Sequence, residues 1–214
     1  MSKFKAGLKW FFESFIWLGI ILFVIDIVTK NIIVAHGQEI IKFGGIVLIP
    51  NFLRINYIIN ENVAFGISLG SPLANRIVFS VIAIAVVVGL CVYFALKWGK
   101  ISKFYRAIIF MVVAGALGNA VDRLFYSAEY LNNGGAQGVV DWIDFYGIWR
   151  FNFNIADSAI VVAAFMVIIA FIVEEIKEFR AKRKEEKALD NGEEKVLSTT
   201  EKEKNELLNK DKDE

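Results

Sequence analysis

The chain has 214 residues, of which 56% are hydrophobic and 19 are Phe, and its formal net charge is +1. That balance lacks the basic stripe a nucleic-acid binder needs. One cysteine, Cys91, excludes an internal disulfide and a cysteine-rich metal site, and one histidine, His36, leaves little for a His zinc site or a Ser-His triad. Charge is also segregated: Lys and Glu crowd the C-terminal tail, while long apolar runs fill the rest. Membrane proteins confine charge to the ends of their spans in this way.

Taken in chain order, Lys3, Lys5 and Lys9 precede the first apolar run, Trp10 to Val34. That run is too long for a secretory signal, carries Asp26 and Lys30, and lacks a small-residue cleavage site, so it reads as a retained helix. The loop from His36 to Pro72 follows. Its residues 53, 55, 57 and 59 are apolar, with Arg54 and Asn56 between them, which is the alternation of a strand in a small sheet. Leu73 to Leu96 is a second span, and Phe104 to Phe125 a third. A second loop, Tyr126 to Phe153, leads to a fourth span, Ile155 to Val173. Each run approaches the ~20 residues that cross a bilayer as helix. The expected fold is an all-α integral membrane protein, four transmembrane helices with a small extracytoplasmic β-sheet, in one domain over 1–175. Residues 176–214 lack a sustained apolar stripe and are expected to form a charged, disordered cytoplasmic tail.

Basic residues set the orientation. They gather before span one, in the link with Lys97, Lys100, Lys103 and Arg106, and after span four, at Arg180, Lys182, Arg183, Lys184 and Lys187. Both termini are therefore expected in the cytoplasm of a plasma-membrane protein, with both long loops outside. This topology draws the costly intramembrane polar groups to one depth. Asp26 and Lys30 lie in the outer half of span one; Asn119, Asp122 and Arg123 end span three; Asn154 and Asp157 begin span four. Asn60, Asn62, Asp141 and Asp144 come from the loops.

Each group also has a plainer reading. Asp26 and Lys30, four apart, can neutralise each other. Asn119 can join two helices, and Asp122 and Arg123 can be interfacial charges. Asn154 and Asp157 have the spacing of a helix cap, and Asp141 and Asp144 flank aromatics that can anchor at the headgroups. Topology alone does not choose among Asp122, Asp141, Asp144 and Asp157. Two other functions fit such residues. A proton-coupled transporter would place its acids near the midplane, on broken helices, but there is no internal repeat and the only prolines, Pro50 and Pro72, lie in the first outer loop. A non-catalytic scaffold or lipid-binding protein would tolerate loss of its aspartates.

Five segments in order resemble lipoprotein signal peptidase, the type II signal peptidase family. They are Asp26-Ile-Val-Thr-Lys30, Asn60-Glu-Asn-Val-Ala-Phe65-Gly66, Ala114-Gly-Ala-Leu-Gly118-Asn119-Ala-Val-Asp122-Arg123, Gly138-Val-Val-Asp141-Trp-Ile-Asp144-Phe and Phe153-Asn154-Ile-Ala-Asp157-Ser158. The resemblance spans about residues 20 to 170. Asn62 and Ala114 stand where the family usually has Gly, residues 127–137 lengthen the second loop, and the tail is longer than usual.

The resemblance implies an aspartyl endopeptidase that cleaves diacylglyceryl-modified prolipoproteins before the lipidated cysteine, near the outer membrane face. It implies Asp141 and Asp157 as the catalytic pair, sharing one proton. Asn119, Arg123 and Asn154 correspond to positions around that pair, and Asn60, Asp26, Lys30 and Asp122 to support or substrate contact. No metal or organic cofactor is implied, membrane lipid is a partner, and a monomer suffices.

Overall fold

In the computed structural model, residues 3–61, 70–125 and 138–210 are described, those after Lys184 as backbone only. Residues 62–66 of the second matched segment, Asn62 among them, and the 127–137 lengthening lie outside the described residues. The chain divides into two compact units, 1–166 and 167–214. All residues that form the site lie in the first unit.

That unit opens with helix α1 (Lys3–Ser14) and helix α2 (Ile16–Ala35). The first span was expected to start at Trp10; it starts instead at Ile16. The break falls at Phe15, whose backbone is left-handed at φ 63°, a conformation that is costly for a bulky side chain. Ser14 stitches the corner, its Oγ donating to Phe11 O at 2.7 Å and accepting the Ile16 N–H at 3.2 Å. A short helix, α3 (Gly37–Lys42), follows at the start of the segment that was expected to be loop between the first two spans.

Strands β1 (Ile46–Ile49) and β2 (Leu53–Asn60) then form a hairpin. Helix α4 (Pro72–Lys97) starts on Ser71, whose side chain accepts the Ala74 N–H at 3.1 Å. A 3-10 turn (Trp98–Lys100) joins it to α5 (Lys103–Phe125). Strands β3 (Val139–Asp144) and β4 (Asn152–Phe153) precede α6 (Ile155–Lys210). The part of α6 in the second unit is helix where composition suggested disorder. Its run of Glu, Lys, Ala and Leu favours helix locally even without an apolar stripe.

Among the described residues, four helical segments are long and apolar enough to cross a membrane: Ile16–Ala35, Leu73–Lys100, Lys103–Phe125 and Ile155–Lys184. The expected architecture of four spanning helices and a small sheet is present. Lipid tails are as apolar as Leu, so spans associate by close packing rather than by escape from water. Helix α5 supplies that packing with small residues, Ala107, Ala114, Gly115, Gly118 and Ala120 among them, all buried. A Cβ on Gly115 would meet the Ala156 carbonyl and Ile160, and Gly19 of α2 sits against Phe110. Ala114 is itself buried here, so its methyl is accommodated. Outward faces carry Ile77, Val81, Ile82 and Val88, all exposed in the protein alone and suited to acyl chains.

The antiparallel sheet runs β1-β2-β3-β4. The alternation in β2 holds: Ile55, Tyr57 and Ile59 share one apolar cluster with Ile33, Ile40 and Val140, docking the sheet onto the end of α2. Across β2 and β3, Ile58 pairs with Asp141 and Asn60 with Val139.

Candidate active site

Helices α2 and α5 run in the same direction: Gly19 meets Phe110 near their starts, and Lys30 meets Asp122 near their ends. That parallel register brings Asp26, Lys30, Asn119 and Asp122 to one depth beneath the sheet. Lys30 is wholly buried. Its Nζ lies 2.8 Å from Asp26 Oδ2, 2.9 Å from Asp122 Oδ2 and 3.1 Å from Asn119 Oδ1. A cation this deep persists only when paired and hydrogen-bonded. Both aspartates also hold backbone: Asp122 Oδ2 accepts the Val140 N–H at 3.0 Å and Asp26 Oδ1 accepts the Ala156 N–H at 2.8 Å. The cluster thus fixes β3 and the start of α6 to the bundle.

At that start, Asn154 Oδ1 accepts the Asp157 N–H at 2.8 Å, while Asp157 Oδ2 accepts the Asn154 N–H at 3.2 Å. This is a reciprocal capping box. The cap reading of these residues is therefore correct, and it leaves Asp157 Oδ1 to accept Asn119 Nδ2 at 2.7 Å. Asn119 has no freedom to turn its amide: Oδ1 receives Lys30 and, at 3.2 Å, Asn154 Nδ2. Its donor end must face Asp157.

Asn154 Nδ2 also donates to Asp141 Oδ1 at 2.8 Å and to Val140 O at 3.3 Å. Asn60 Nδ2 donates to Asp141 Oδ2 at 2.8 Å. One buried residue, Asn154, therefore bridges the two carboxylates, its side-chain amide donating to Asp141 and its backbone N–H to Asp157. Asp141 is only 2% exposed. Burial first, and then the charge of Asp157, push its carboxyl up to about 7, against the opposing pull of Asn60, Lys30 and Asn154. Arg123 donates to Asn119 O at 3.4 Å, and its charge reaches Asp157, Asp122 and Asp141.

The aspartates that topology left equivalent are now distinct. Asp26 and Asp122 share Lys30, and Asp144 pairs with Arg54 through the Nε–Oδ2 contact. Asp144 also accepts from Asn56 Nδ2 at 3.4 Å. Among the described residues, Asp141 and Asp157 are held by amides and have no ion pair. Among the described residues, no three metal-ligating side chains converge. All nine sequence-selected residues fall in or beside this network. Sequence reasoning missed Asn75, 2% exposed, whose Nδ2 donates to Glu61 O at 3.1 Å and ties the end of β2 to α4. A lone Asn two residues into an apolar run was the available signal.

The family model for signal peptidase (SPase) II matches residues 18–173. The chain belongs to this family. A lipoprotein signal peptidase of Fusobacterium nucleatum is 33% identical over 159 residues, covering 74% of this chain and 86% of that protein. One from Haemophilus influenzae is 33% identical over 187 residues, covering 86% and 97%. Among solved structures, a chain described as a bacterial membrane enzyme at 2.3 Å resolution is similar at TM-score 0.59 and 31% identity, covering 75% of this chain and 88% of that one. A second, at 1.9 Å resolution, gives TM-score 0.55 and 32% identity, covering 73% and 90%. Family membership makes the protein a multi-pass membrane peptidase of the signal peptidase II type and sets aside the transporter and scaffold readings.

Proposed function

We propose that this peptidase is an aspartyl endopeptidase that removes the signal peptide from diacylglyceryl-modified prolipoproteins, cleaving before the lipidated cysteine, with Asp141 and Asp157 as its dyad. The observation that carries the reading is the pairing pattern. Among the described residues, two of the five buried or cap-forming aspartates make no ion pair, share the Asn154 bridge, and sit where one of them holds a proton near neutral pH. Two such carboxylates titrate as a pair with one shared proton.

In the proposed step the charged member takes a proton from water as its oxygen attacks the scissile carbonyl carbon. The protonated member donates to the carbonyl oxygen, giving a neutral gem-diol. Proton transfer to the amide nitrogen then breaks the C–N bond and restores the carboxyl of the new C-terminus. Asn119, Asn154 and Asn60 hold the pair in place through neutral donors, so neither aspartate is locked into its ionised form. Arg123, at the end of α5, is proposed to meet substrate carbonyls. Apolar walls between spans are proposed to take the two acyl chains, which explains why the peptidase works inside a bilayer.

The basic residues around α1, the α4–α5 link and the tail support a cytoplasmic location for both termini. Lys30 lies fourteen residues into α2 from Ile16, about 21 Å along a helix, which supports a site in the outer half of the membrane. One chain carries both aspartates, so the proposed chemistry needs no second copy.

The test is cleavage of a lipidated prolipoprotein peptide by purified Asp141→Asn and Asp157→Asn proteins. Both are expected to bind substrate and lose turnover by at least about a thousandfold. Near-wild-type turnover by either removes it from the dyad. The same peptide without its acyl group is expected to be a poor substrate; full turnover on it would place the enzyme in another protease class.

A further inference from the structure

We propose that α1 is an in-plane anchor for anionic lipid, held at the headgroup layer of the membrane face opposite the site. At 100° per residue, Phe4, Leu8, Phe11 and Phe12 fall in one sector about 100° wide. Lys5, Lys9 and Glu13 follow on one flank of that sector, and Lys3 lies on the other. Phe4, Leu8 and Phe12 are exposed, Phe4 by 78%. A short amphipathic helix with lysines flanking an aromatic face is suited to lie in the interface, with its apolar side in the acyl boundary.

The geometry at Phe15 turns that composition into a position. Had α1 continued α2, its apolar face would simply have lengthened the span. The left-handed Phe15 prevents this, and several contacts fix the corner. Arg106 donates to Glu13 O at 3.1 Å, Trp98 O at 3.0 Å and Ile101 O at 2.9 Å, with its guanidinium 3.7 Å from the Trp98 ring centroid. Lys103 pairs with Glu13 at 3.2 Å, and Trp10 packs on Trp98 with ring centroids 5.5 Å apart. The Phe15 side chain packs into the cluster of Phe94, Ile109 and Phe110.

These contacts hold α1 beside the α4–α5 link, whose Lys97 and Lys100 join Lys3, Lys5 and Lys9 at this end of the bundle. Five lysines around one exposed aromatic face complement a negatively charged lipid surface. The occupant of the α1 face is therefore anionic phospholipid, rather than a protein.

The experiment uses the full chain with Cys91→Ala in nanodiscs of phosphatidylglycerol and phosphatidylcholine. Single nitroxide labels are placed at Phe4→Cys, Lys5→Cys, Leu8→Cys, Lys9→Cys and Phe12→Cys. Labels at 4 and 8 are expected to be shielded from a water-soluble relaxant and reached by oxygen, that at 9 the reverse, and those at 5 and 12, neighbours on the helical wheel, to fall between. A fluorophore at Leu8→Cys is expected to be quenched more by spin-labelled phosphatidylglycerol than by spin-labelled phosphatidylcholine. Each lysine near a charged surface is worth about a fivefold change in partitioning. Lys3→Gln, Lys5→Gln and Lys9→Gln together are therefore expected to cut that preference by about a hundredfold. Equal accessibility at all five positions, dipolar coupling between copies, or a quenching pattern indifferent to lipid charge overturns the proposal.

Discussion

Lys30→Met removes the cation that pairs with two buried carboxylates while nearly conserving side-chain volume. Two carboxylates, Asp26 and Asp122, then remain at 0% exposure without a countercharge at 2.8 and 2.9 Å. At an effective dielectric of about 20, each lost contact is worth about 6 kcal/mol of gross Coulomb attraction. Desolvation of the lysine in the native protein offsets much of that, leaving a net cost of about 3–5 kcal/mol for stripping one partner from a buried pair. In a chain of this size that lowers the unfolding temperature by roughly 6–20 °C. The assay is thermal unfolding in detergent or nanodiscs at pH 7, with Lys103→Met as the reference. Lys103 is paired with Glu13 but 65% exposed, and such a pair contributes under about 1 kcal/mol. Equal melting of the two variants, or a shift under about 2 °C for Lys30→Met, would refute the assignment of Lys30 as the electrostatic centre of the bundle.

Three further outcomes follow from the same geometry. Asp141 holds its proton to about 7 in the fold against 3.8 as the ordinary value. The fold therefore binds more protons than the unfolded chain across that window, and stability falls as pH rises through it. Turnover, which needs the shared proton, is expected to decline as pH climbs through about 7, and a rate still rising at pH 9 contradicts the assignment. Asp144→Asn is expected to keep turnover within about threefold while weakening the Arg54 contact, because Asp144 stands outside the Asn154 bridge; peptide cleavage distinguishes it from Asp141→Asn. Gly118→Ala places a methyl against Asp26 Oδ2 and 3.1 Å from Ala156 Cβ. It is expected to cost about 1–3 kcal/mol, read as a lower unfolding temperature alongside reduced activity.

The spans and the polar depth were legible because hydropathy and basic residues report on the bilayer directly. Span edges were less so. Trp10, Phe11 and Phe12 are as apolar as a span, and only a left-handed Phe15, which no local composition demands, turns the chain aside. The short α3 and the strands β3 and β4 were missed because they are defined by docking onto α2, β2 and β3 rather than by their own periodicity. The choice among aspartates was beyond topology for a similar reason. Which carboxylate receives Lys30 or Arg54 depends on pairs about 90 residues apart, and the depth of a residue in a span does not encode its partner. The resemblance to a family supplied that choice, and the ion-pair pattern gives it a physical basis. Asn154 was read as cap or catalytic support; the oxygen of its amide accepts the Asp157 N–H at the start of α6, and the nitrogen donates to Asp141.

The capping box at Asn154 and Asp157 makes the first turn of α6 a cooperative unit with the proposed dyad. Local opening of that turn would withdraw a carboxylate from the reaction centre and release the Ala156 and Asp157 amides together. Fraying and inactivity are then one event seen by two probes. A ligand that bridges Asp141 and Asp157 would slow deuterium uptake at those two amides, so the proposed catalytic centre carries its own reporter of occupancy.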